Sequence, residues 1–310
     1  MLKIGIVFDR VKWIQRPFDK RYSYSYRILS KVARQHGIEV YISDLKNYRA
    51  RKFAKCWFCE KSWKILRNRY IDMVFDKMST SGRNVLKRMR VRMMRELPIV
   101  NHPELNEISE DKYLSYTIFR EYFPKTYLLS TSGIRKAPAG LYVMKPRHGS
   151  RGEFIRIMEK EKLQPKKDFI FQEFIDTSGG IKDVINKVHD LRLVSINGKI
   201  IKAYLRVQKK GIINNMDTGE FEIHIEKSKV PESAVKIFRI VDRKLSKYDF
   251  RFYTIDFLVD KDQKPWICEL NTHLGLGIAG KKTKEIYFNM YREILLAMKR
   301  YYLKLGSGKN

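Results

Sequence analysis

The pattern of secondary structure changes near Pro124, and this change limits the folds that the chain can adopt. The predicted elements before it are strands over 4–8, 39–42, 73–75 and 99–100 and helices over 22–36, 83–95 and 110–122. Ser109 is the expected N-cap of the last helix. Such alternation is typical of a small parallel sheet covered by helices. After Pro124 the sequence favours hairpins, and the clearest of them turns at Asn197-Gly198. Several subdomains are therefore expected in one chain.

Positive charge is concentrated in the first third of the sequence. The 310 residues carry a formal charge of +30, and residues 1–100 hold 25 basic and 8 acidic side chains, a net charge of +17. The densest stretch, 46–69, holds nine basic residues against Glu60 and is predicted to be helical. Either these are solvated faces of a lysine-rich protein, or they attract a polyanion.

The segment from Asp256 to Asn271 holds the clearest chemical motif. A hairpin centred on Asp262-Gln263 pairs Asp256 directly with Glu269, and Asn271 lies on the same face. Directly opposed like charges destabilise a sheet, so a divalent cation is expected to offset the repulsion. Two carboxylates and an amide suit Mg²⁺ bridged to phosphates. The alternative is a surface hairpin with scattered charges.

Two further segments carry weaker signals. Lys145 ends an apolar strand just before a Gly-Ser-x-Gly turn, where an ammonium and backbone N–H groups can hold a phosphate. The turn does not match the P-loop pattern. A plain β-hairpin with a loop is the alternative for this first segment. The strand over 171–175 contains Gln172-Glu173 and offers a backbone edge to an adenine ring, but alone it indicates no function.

In this order, the motifs resemble those of the ATP-grasp superfamily over roughly residues 98–280. The resemblance is closest to carboxylate–amine ligases of the RimK and glutathione-synthetase types, with some likeness to the YheC/YheD group. It implies an α/β fold of α+β type: an ATP-grasp fold with an N-terminal parallel α/β domain and two ATP-clasping α+β subdomains. The expected segments are a basic α/β domain over 1–100, a lid subdomain over 101–175 and a metal-binding subdomain over 176–305. The Gly-Ser-Gly composition of 306–308 predicts a disordered tail over 306–310.

The resemblance also implies roles for individual residues. Those implied to contact ATP are Lys112, Lys145, Gly149, Ser150, Gly152, Glu173, Phe174, Ile175 and Asp176. Those implied to bind metal are Asp256, Glu269 and Asn271. Arg192 and Arg206 are implied to hold the transferred phosphoryl group or the acyl-phosphate.

The sequence departs from the family pattern at two points. With a tight Asn197-Gly198 turn, Arg192 and Arg206 point to opposite faces, so both reach one site only if the hairpin contains a bulge. The substrate-binding Arg-x-Asn…Gly-Gly segment of RimK-like sequences is altered in 211–219. The nucleotide site therefore matches the family, while the substrate site has diverged.

The resemblance implies a ligase that uses ATP and Mg²⁺ (or Mn²⁺) to join a carboxylate and an amine through an acyl-phosphate. The expected substrates are small molecules or peptides, and the basic N-terminal domain favours an acidic acceptor. The alternatives are an ATP-grasp kinase of a polyanionic small molecule and a non-catalytic nucleic-acid-binding protein. Three cysteines cannot build a disulfide framework and no apolar run is long enough to span a membrane, so a cytoplasmic protein is expected.

Overall fold

The computed structural model describes residues 1–78, 84–149, 154–207, 221–278 and 283–307. The strands in these ranges are β1 (Leu2–Phe8), β2 (Ile38–Asp44), β3 (Tyr48–Arg49), β4 (Lys52–Cys59), β5 (Trp63–Tyr70), β6 (Met73–Asp76), β7 (Ile99–Val100), β8 (Thr126–Leu128), β9 (Leu141–Pro146), β10 (Arg156–Glu159), β11 (Phe169–Glu173), β12 (His189–Ile196), β13 (Lys199–Val207), β14 (Phe221–Ile225), β15 (Phe252–Val259) and β16 (Pro265–Asn271). The α-helices are α1 (Lys20–Gln35), α2 (Asn84–Glu96), α3 (Pro103–Glu110), α4 (Lys112–Ile118), α5 (Thr131–Lys136), α6 (Glu232–Leu245) and α7 (Lys284–Ser307). Among the described residues, no helix is both long and apolar enough to cross a membrane.

The first sheet has the order β3-β4-β2-β1-β6-β7, with β5 paired to β4. Its strands β1, β2, β6 and β7 are parallel, whereas β3, β4 and β5 pair in antiparallel fashion. The expected parallel sheet is therefore a mixed one. The predicted helix over the basic stretch is wrong, because this stretch forms the paired strands β4 and β5. Successive residues Cys56 and Trp57 are buried in different cores, as side chains on opposite faces of a strand are.

The helix expected over 110–122 is divided in two at Asp111. Its carboxylate accepts hydrogen bonds from the backbone N–H groups of Tyr113 and Leu114 and caps α4. Ser109, the expected cap, instead donates its hydroxyl to the carbonyl of Asn106 at the end of α3.

Two antiparallel sheets follow. The second has the order β10-β9-β11-β8 and the third β14-β13-β12-β15-β16. One face of the third sheet is apolar and packs on α6, through residues such as Leu193, Leu205 and Ile255. The strand–helix domain followed by hairpin sheets confirms the predicted mixed α/β class.

The opposite face of the third sheet has two parts. Val194, Ile196 and Phe252 share a core with α1 and α7, so the first and last helices pack in one cluster with the first sheet. Next to this apolar part, the same face carries charged side chains. Helix α7 runs to Ser307, so it includes the first two residues of the segment over 306–310 that was expected to be a disordered tail.

Candidate nucleotide and phosphoryl-transfer site

A row of polar residues crosses the third sheet from edge to edge. The directly opposed residues of this row are His224, Tyr204, Arg192, Asp256 and Glu269. Because side chains of paired residues project from the same face, all five strands contribute to one surface. The register thus brings together three of the residues that the resemblance implies, namely Arg192, Asp256 and Glu269.

Both predicted arginines bind Asp256. Arg192 Nε donates to Asp256 Oδ1 at 2.6 Å and Arg192 Nη2 donates to Oδ2. Arg206 Nη2 also donates to Asp256 Oδ2, at 2.7 Å, while Arg206 Nε donates to Asp190 Oδ1 at 2.7 Å. The two arginines therefore lie on the same face.

A β-bulge at Ile201 makes this arrangement possible. Ser195 pairs with Ile200 but Val194 pairs with Lys202, so β13 contains one extra residue. That residue reverses which side chains of β13 face the site. The structure thus contains the bulge on which the convergence of the arginine pair depends.

Asp256 and Glu269 are directly opposed, as the sequence predicts. The turn differs from the expected one, because Val259 pairs with Pro265, one position away from the predicted register. The extra residue Cys268 then restores the pairing of Asp256 with Glu269. Burial alone would raise the pKa of Asp256, but Arg192 and Arg206 outweigh it and hold this pKa below its usual value. The arginines therefore offset the repulsion between the two carboxylates, which a divalent cation was expected to offset.

The oxygen donors expected to bind a metal ion lie at the end of this row. No cluster of three or more His, Cys, Asp or Glu side chains with metal-binding geometry occurs in the described part of the chain. Asp256, Glu269 and Asn271 nevertheless supply oxygen donors from adjacent strands, and Glu269 is a quarter exposed. Asn271 Oδ1 accepts from the N–H of His273, which leaves one lone pair free. The residues thus fit Mg²⁺ in chemistry, with Asp256 shared between the ion and the arginines.

The two predicted lysines lie beside this row. Lys145 is buried, and its Nζ donates to Gln172 Oε1 at 2.9 Å and to the carbonyl of Cys268 at 3.4 Å. Lys112 Nζ donates to the carbonyl of Gly149 at 2.6 Å. Burial lowers the pKa of Lys112, with Glu269 the strongest opposing influence. Both ammonium groups thus approach the strand that carries Glu269.

Sequence reasoning missed the contact that links the second sheet to α4. Arg147 Nε donates to Asp111 Oδ1 at 2.8 Å, and Arg147 Nη2 donates to Asp111 Oδ2 at 2.5 Å. Arg147 follows Lys145 by two residues, and its paired contact with Asp111 holds the end of β9 against the start of α4. The N-cap preference of aspartate could have placed Asp111, but its partner depends on tertiary structure.

The phosphate loop is described only at its start. Gly149 has a φ of +113°, which favours glycine. Ser150 and Gly152 lie outside the described residues, as does the altered segment over 211–219.

The segment predicted to contact adenine follows β11. The N–H of Glu173 donates to the carbonyl of Lys125, and that of Phe174 donates to the carbonyl of Leu141. A hydrogen bond from this segment to adenine must therefore involve Ile175 or a carbonyl group. Asp176, the candidate for the ribose, is exposed and accepts from the N–H of Ser178.

A second group of titratable residues joins the first sheet to the strand end at Asn271. Lys77 Nζ donates to the carbonyl of Leu274 at 2.6 Å, and burial lowers the pKa of Lys77 to about 7. His273 Nδ1 lies 3.4 Å from Glu110 Oε1. No sequence pattern identifies Lys77, because its burial and its contact with Leu274 depend on how the loop after β16 packs against the first sheet.

The comparisons with known proteins agree with this geometry. The family model described as the ATP-grasp domain matches residues 109–275, more than half of the chain. A search of the curated proteins gives no match.

Many solved structures share this fold, and three of them illustrate the similarity. The ATP-grasp ligase PsnB, complexed with a minimal precursor, has 16% identity and a TM-score of 0.62, covering 97% of this chain and 99% of PsnB. The D-cycloserine synthetase DcsG has 13% identity and a TM-score of 0.63, covering 94% and 99%. D-alanyl-alanine synthetase A from Vibrio cholerae has 14% identity and a TM-score of 0.65, covering 98% and 99%. These similarities establish the fold.

The family match covers the Asp111–Arg147 contact, the arginine pair and the strands that carry Asp256 and Glu269. Both the fold class and the resemblance found in the sequence are confirmed. The chain therefore belongs to the ATP-grasp family.

Proposed function

We propose that this protein is an ATP-dependent carboxylate–amine ligase that forms an amide through an acyl-phosphate. The observation that supports it best is the convergence of Arg192 and Arg206 on Asp256, directly opposite Glu269. Cations positioned in a partly buried site stabilise the negative charge that develops during phosphoryl transfer.

The proposed reaction has two steps. The γ-phosphoryl group of ATP passes to a substrate carboxylate, giving an acyl-phosphate and ADP, and an amine then displaces phosphate to form the amide. Lys112 and Lys145 bind ATP phosphates, while Arg192 and Arg206 hold the transferred group. Mg²⁺ held by Asp256, Glu269 and Asn271 would neutralise phosphate charge; Mn²⁺ is a chemically similar alternative.

We further propose an acidic acceptor, bound with the help of the first 100 residues. The hairpin of β4 and β5 exposes Lys64, Arg67 and Arg69 on its outer strand. PsnB was solved with a minimal precursor, and its similar fold supports a peptide as one class of acceptor. Small-molecule acceptors remain within the proposal, with nucleic acid less favoured.

The proposed organisation and compartment follow from the same features. Segments 1–100, 101–175 and 176–305 are proposed to serve as substrate, lid and metal-binding regions. Cys56, Cys59 and Cys268 are free thiols, which supports a reducing compartment such as the cytoplasm.

The experiment is ADP release measured with Mg²⁺-ATP and pairs of carboxylates and amines, with the products identified by mass spectrometry. The proposal predicts equal amounts of ADP, phosphate and an amide. A stable phosphorylated product without free phosphate would instead show the kinase. ATP-independent binding of nucleic acid, with no turnover for any pair, would reject both enzymatic functions.

A further inference from the structure

Lys202 is a buried lysine on the same sheet face as the arginine pair. Its Nζ lies 4.1 Å from the ring centroid of Tyr204 and 4.0 Å from that of Tyr287, on α7. Glu222 Oε2 of β14 lies 3.3 Å from the same Nζ. The Lys202 side chain is only 4% exposed, so this ammonium is enclosed by two aromatic rings and one carboxylate.

This enclosure connects with the phosphoryl-transfer site through Tyr204. The Tyr204 hydroxyl accepts a hydrogen bond from Arg192 Nη1 at 3.4 Å, and Arg192 in turn binds Asp256. On its other side, the Tyr287 hydroxyl donates to Glu222 Oε2 at 3.3 Å. A continuous set of contacts therefore runs from α7 through Lys202 and Tyr204 to Arg192.

We propose that Lys202 is a positioning residue: its ammonium holds the ring of Tyr204 in place, so that the Tyr204 hydroxyl orients Arg192 on Asp256. The proposal rests on the proposed ligase function only for its kinetic consequences. An ammonium between two rings is attracted by both of their faces, and the attraction increases when water is excluded. Neutral lysine loses this attraction and its ion pair with Glu222.

The charge on Lys202 is sensitive to pH in a range where its neighbours are not. Burial lowers the pKa of Lys202 to about 8, although Glu222 opposes the shift. Burial raises the pKa of Tyr204 to about 12 and that of Tyr287 further. Burial also lowers the pKa of His224, which faces the same space from β14. Arg192 stays charged throughout, so a change near pH 8 in this group of residues belongs to Lys202.

Three variants separate positioning from packing. Lys202→Arg keeps the charge at every accessible pH, and Lys202→Met keeps most of the volume without charge. Lys199→Met is the matched control, because Lys199 lies on the same strand but is exposed and pairs with Glu293.

The first readout is the rate of ADP formation between pH 6.5 and 9.5. Wild type should lose kcat above about pH 8, and Lys202→Arg should abolish that loss. Lys202→Met should lower kcat about tenfold at pH 7 with KM for ATP within twofold, while Lys199→Met matches wild type. Persistence of the alkaline loss in folded Lys202→Arg would overturn the proposal, whether or not Lys202→Met folds.

The second readout does not require turnover. The Nε–H of Arg192 donates to a buried carboxylate and should give a protected ¹⁵N side-chain NMR signal, identified by its absence in Arg192→Lys. The signal should weaken above pH 8 in wild type and persist in Lys202→Arg. No ADP formation together with this pH dependence would reject the ligase and support the positioning role. A signal that is identical in both proteins across the range would reject the positioning role alone.

Discussion

Asp256 is a buried carboxylate that keeps its charge through contacts with two arginines. It is fully buried, yet both of its oxygens contact guanidinium groups, from Arg192 and Arg206. A buried carboxylate without such partners would be strongly destabilising. Glu269, directly opposite, is partly exposed and lies 3.8 Å from Arg192. The two opposed acids thus differ in their contacts: Asp256 binds both arginines and would share its oxygens with the proposed metal ion, whereas Glu269 is more accessible to a ligand.

Replacing Glu269 by Gln tests this division. We expect kcat for ADP formation to fall at least about 100-fold, equivalent to about 2.7 kcal/mol of transition-state free energy, because the proposed metal site loses a charged ligand. The free energy of unfolding should change by less than about 1 kcal/mol, since the ion pair of Glu269 with Arg192 is long and partly exposed. Denaturant titration provides the control. Near-normal ADP formation would show that Glu269 does not hold the metal.

Lys77 provides a prediction of pH dependence. Its pKa is about 7 in the folded protein because of burial, against 10.5 for an ordinary lysine, so the folded state binds fewer protons between these values. The free energy of unfolding contributed by Lys77 therefore rises with pH from about 7 upwards, by at most about 1.4 kcal/mol per pH unit.

Lys77→Met removes this contribution. Denaturant titrations between pH 7 and 9.5 should show a shallower rise for the variant than for wild type. Lys202 and Lys112 act in the same direction, so the difference between the two proteins is the informative quantity. Parallel curves would mean that Lys77 is not desolvated in solution.

At the residue scale, the sequence predicted the pairing of the two acidic residues but not the tertiary contacts around them. The opposition of Asp256 to Glu269 follows from strand alternation and needs no tertiary information. The contacts of Arg147 with Asp111 and of Lys77 with Leu274 join segments that are distant in the chain. No local pattern carries such information.

Among the secondary-structure elements, two one-residue bulges determine which side chains face the site. The bulge at Ile201 places Arg206 beside Arg192, and the shift at Cys268 brings Glu269 opposite Asp256. Turn chemistry predicted the Asn197-Gly198 hairpin but not the bulge, because the extra residue is specified by packing on both faces. A strict alternation of side chains therefore gives the wrong face for one of the two arginines.

Deletion of Ile201 tests the bulge. Without the extra residue, β13 alternates regularly from the Asn197-Gly198 turn, and Arg206 still pairs with Asp190 on the face of Arg192. We therefore expect the deletion variant to keep ADP formation, because Arg206 stays beside Asp256, and far-UV circular dichroism should show a folded chain. Ile201→Val keeps the bulge and should also retain activity. A folded deletion variant without ADP formation would refute this account.

The basic stretch over 46–69 shows why helix propensity misled. Its charged residues favour a helix, but the successive residues Cys56 and Trp57 pack in two different cores, on opposite faces of β4. Tertiary packing thus outweighed local preference. Strand β8 was also missed, since three residues carry too little periodicity.

For the molecule as a whole, the distribution of charge should govern association with substrate. The exposed strand β5 carries Lys64, Arg67 and Arg69, so reversing all three to Glu should raise KM for an acidic acceptor about tenfold. The ATP parameters should stay unchanged, because β5 lies in the first sheet, away from Lys112 and Lys145.

The matched control reverses three exposed cations of the segment over 176–305, with the same change of net charge; they are Lys236, Arg239 and Lys261. That variant should keep KM near the wild-type value. Steady-state kinetics at low and physiological salt provides the measurement, since surface attraction is screened over about 8–10 Å. A KM for the acceptor that changes neither on reversal of the three β5 charges nor with salt concentration would reject the electrostatic account.

The shared core of α1 and α7 has a consequence for biosynthesis. Leu29 and Val32 of α1 are completed by Ile294 and Met298, more than 250 residues later in translation. N-terminal domains commonly fold first while the rest of the chain is being made. In this protein the apolar surface of α1 that packs on α7 therefore stays exposed to solvent until α7 has left the ribosome. Holding such a surface in solution is the task of chaperones, so synthesis of this protein should depend on them more than its stability once folded would suggest.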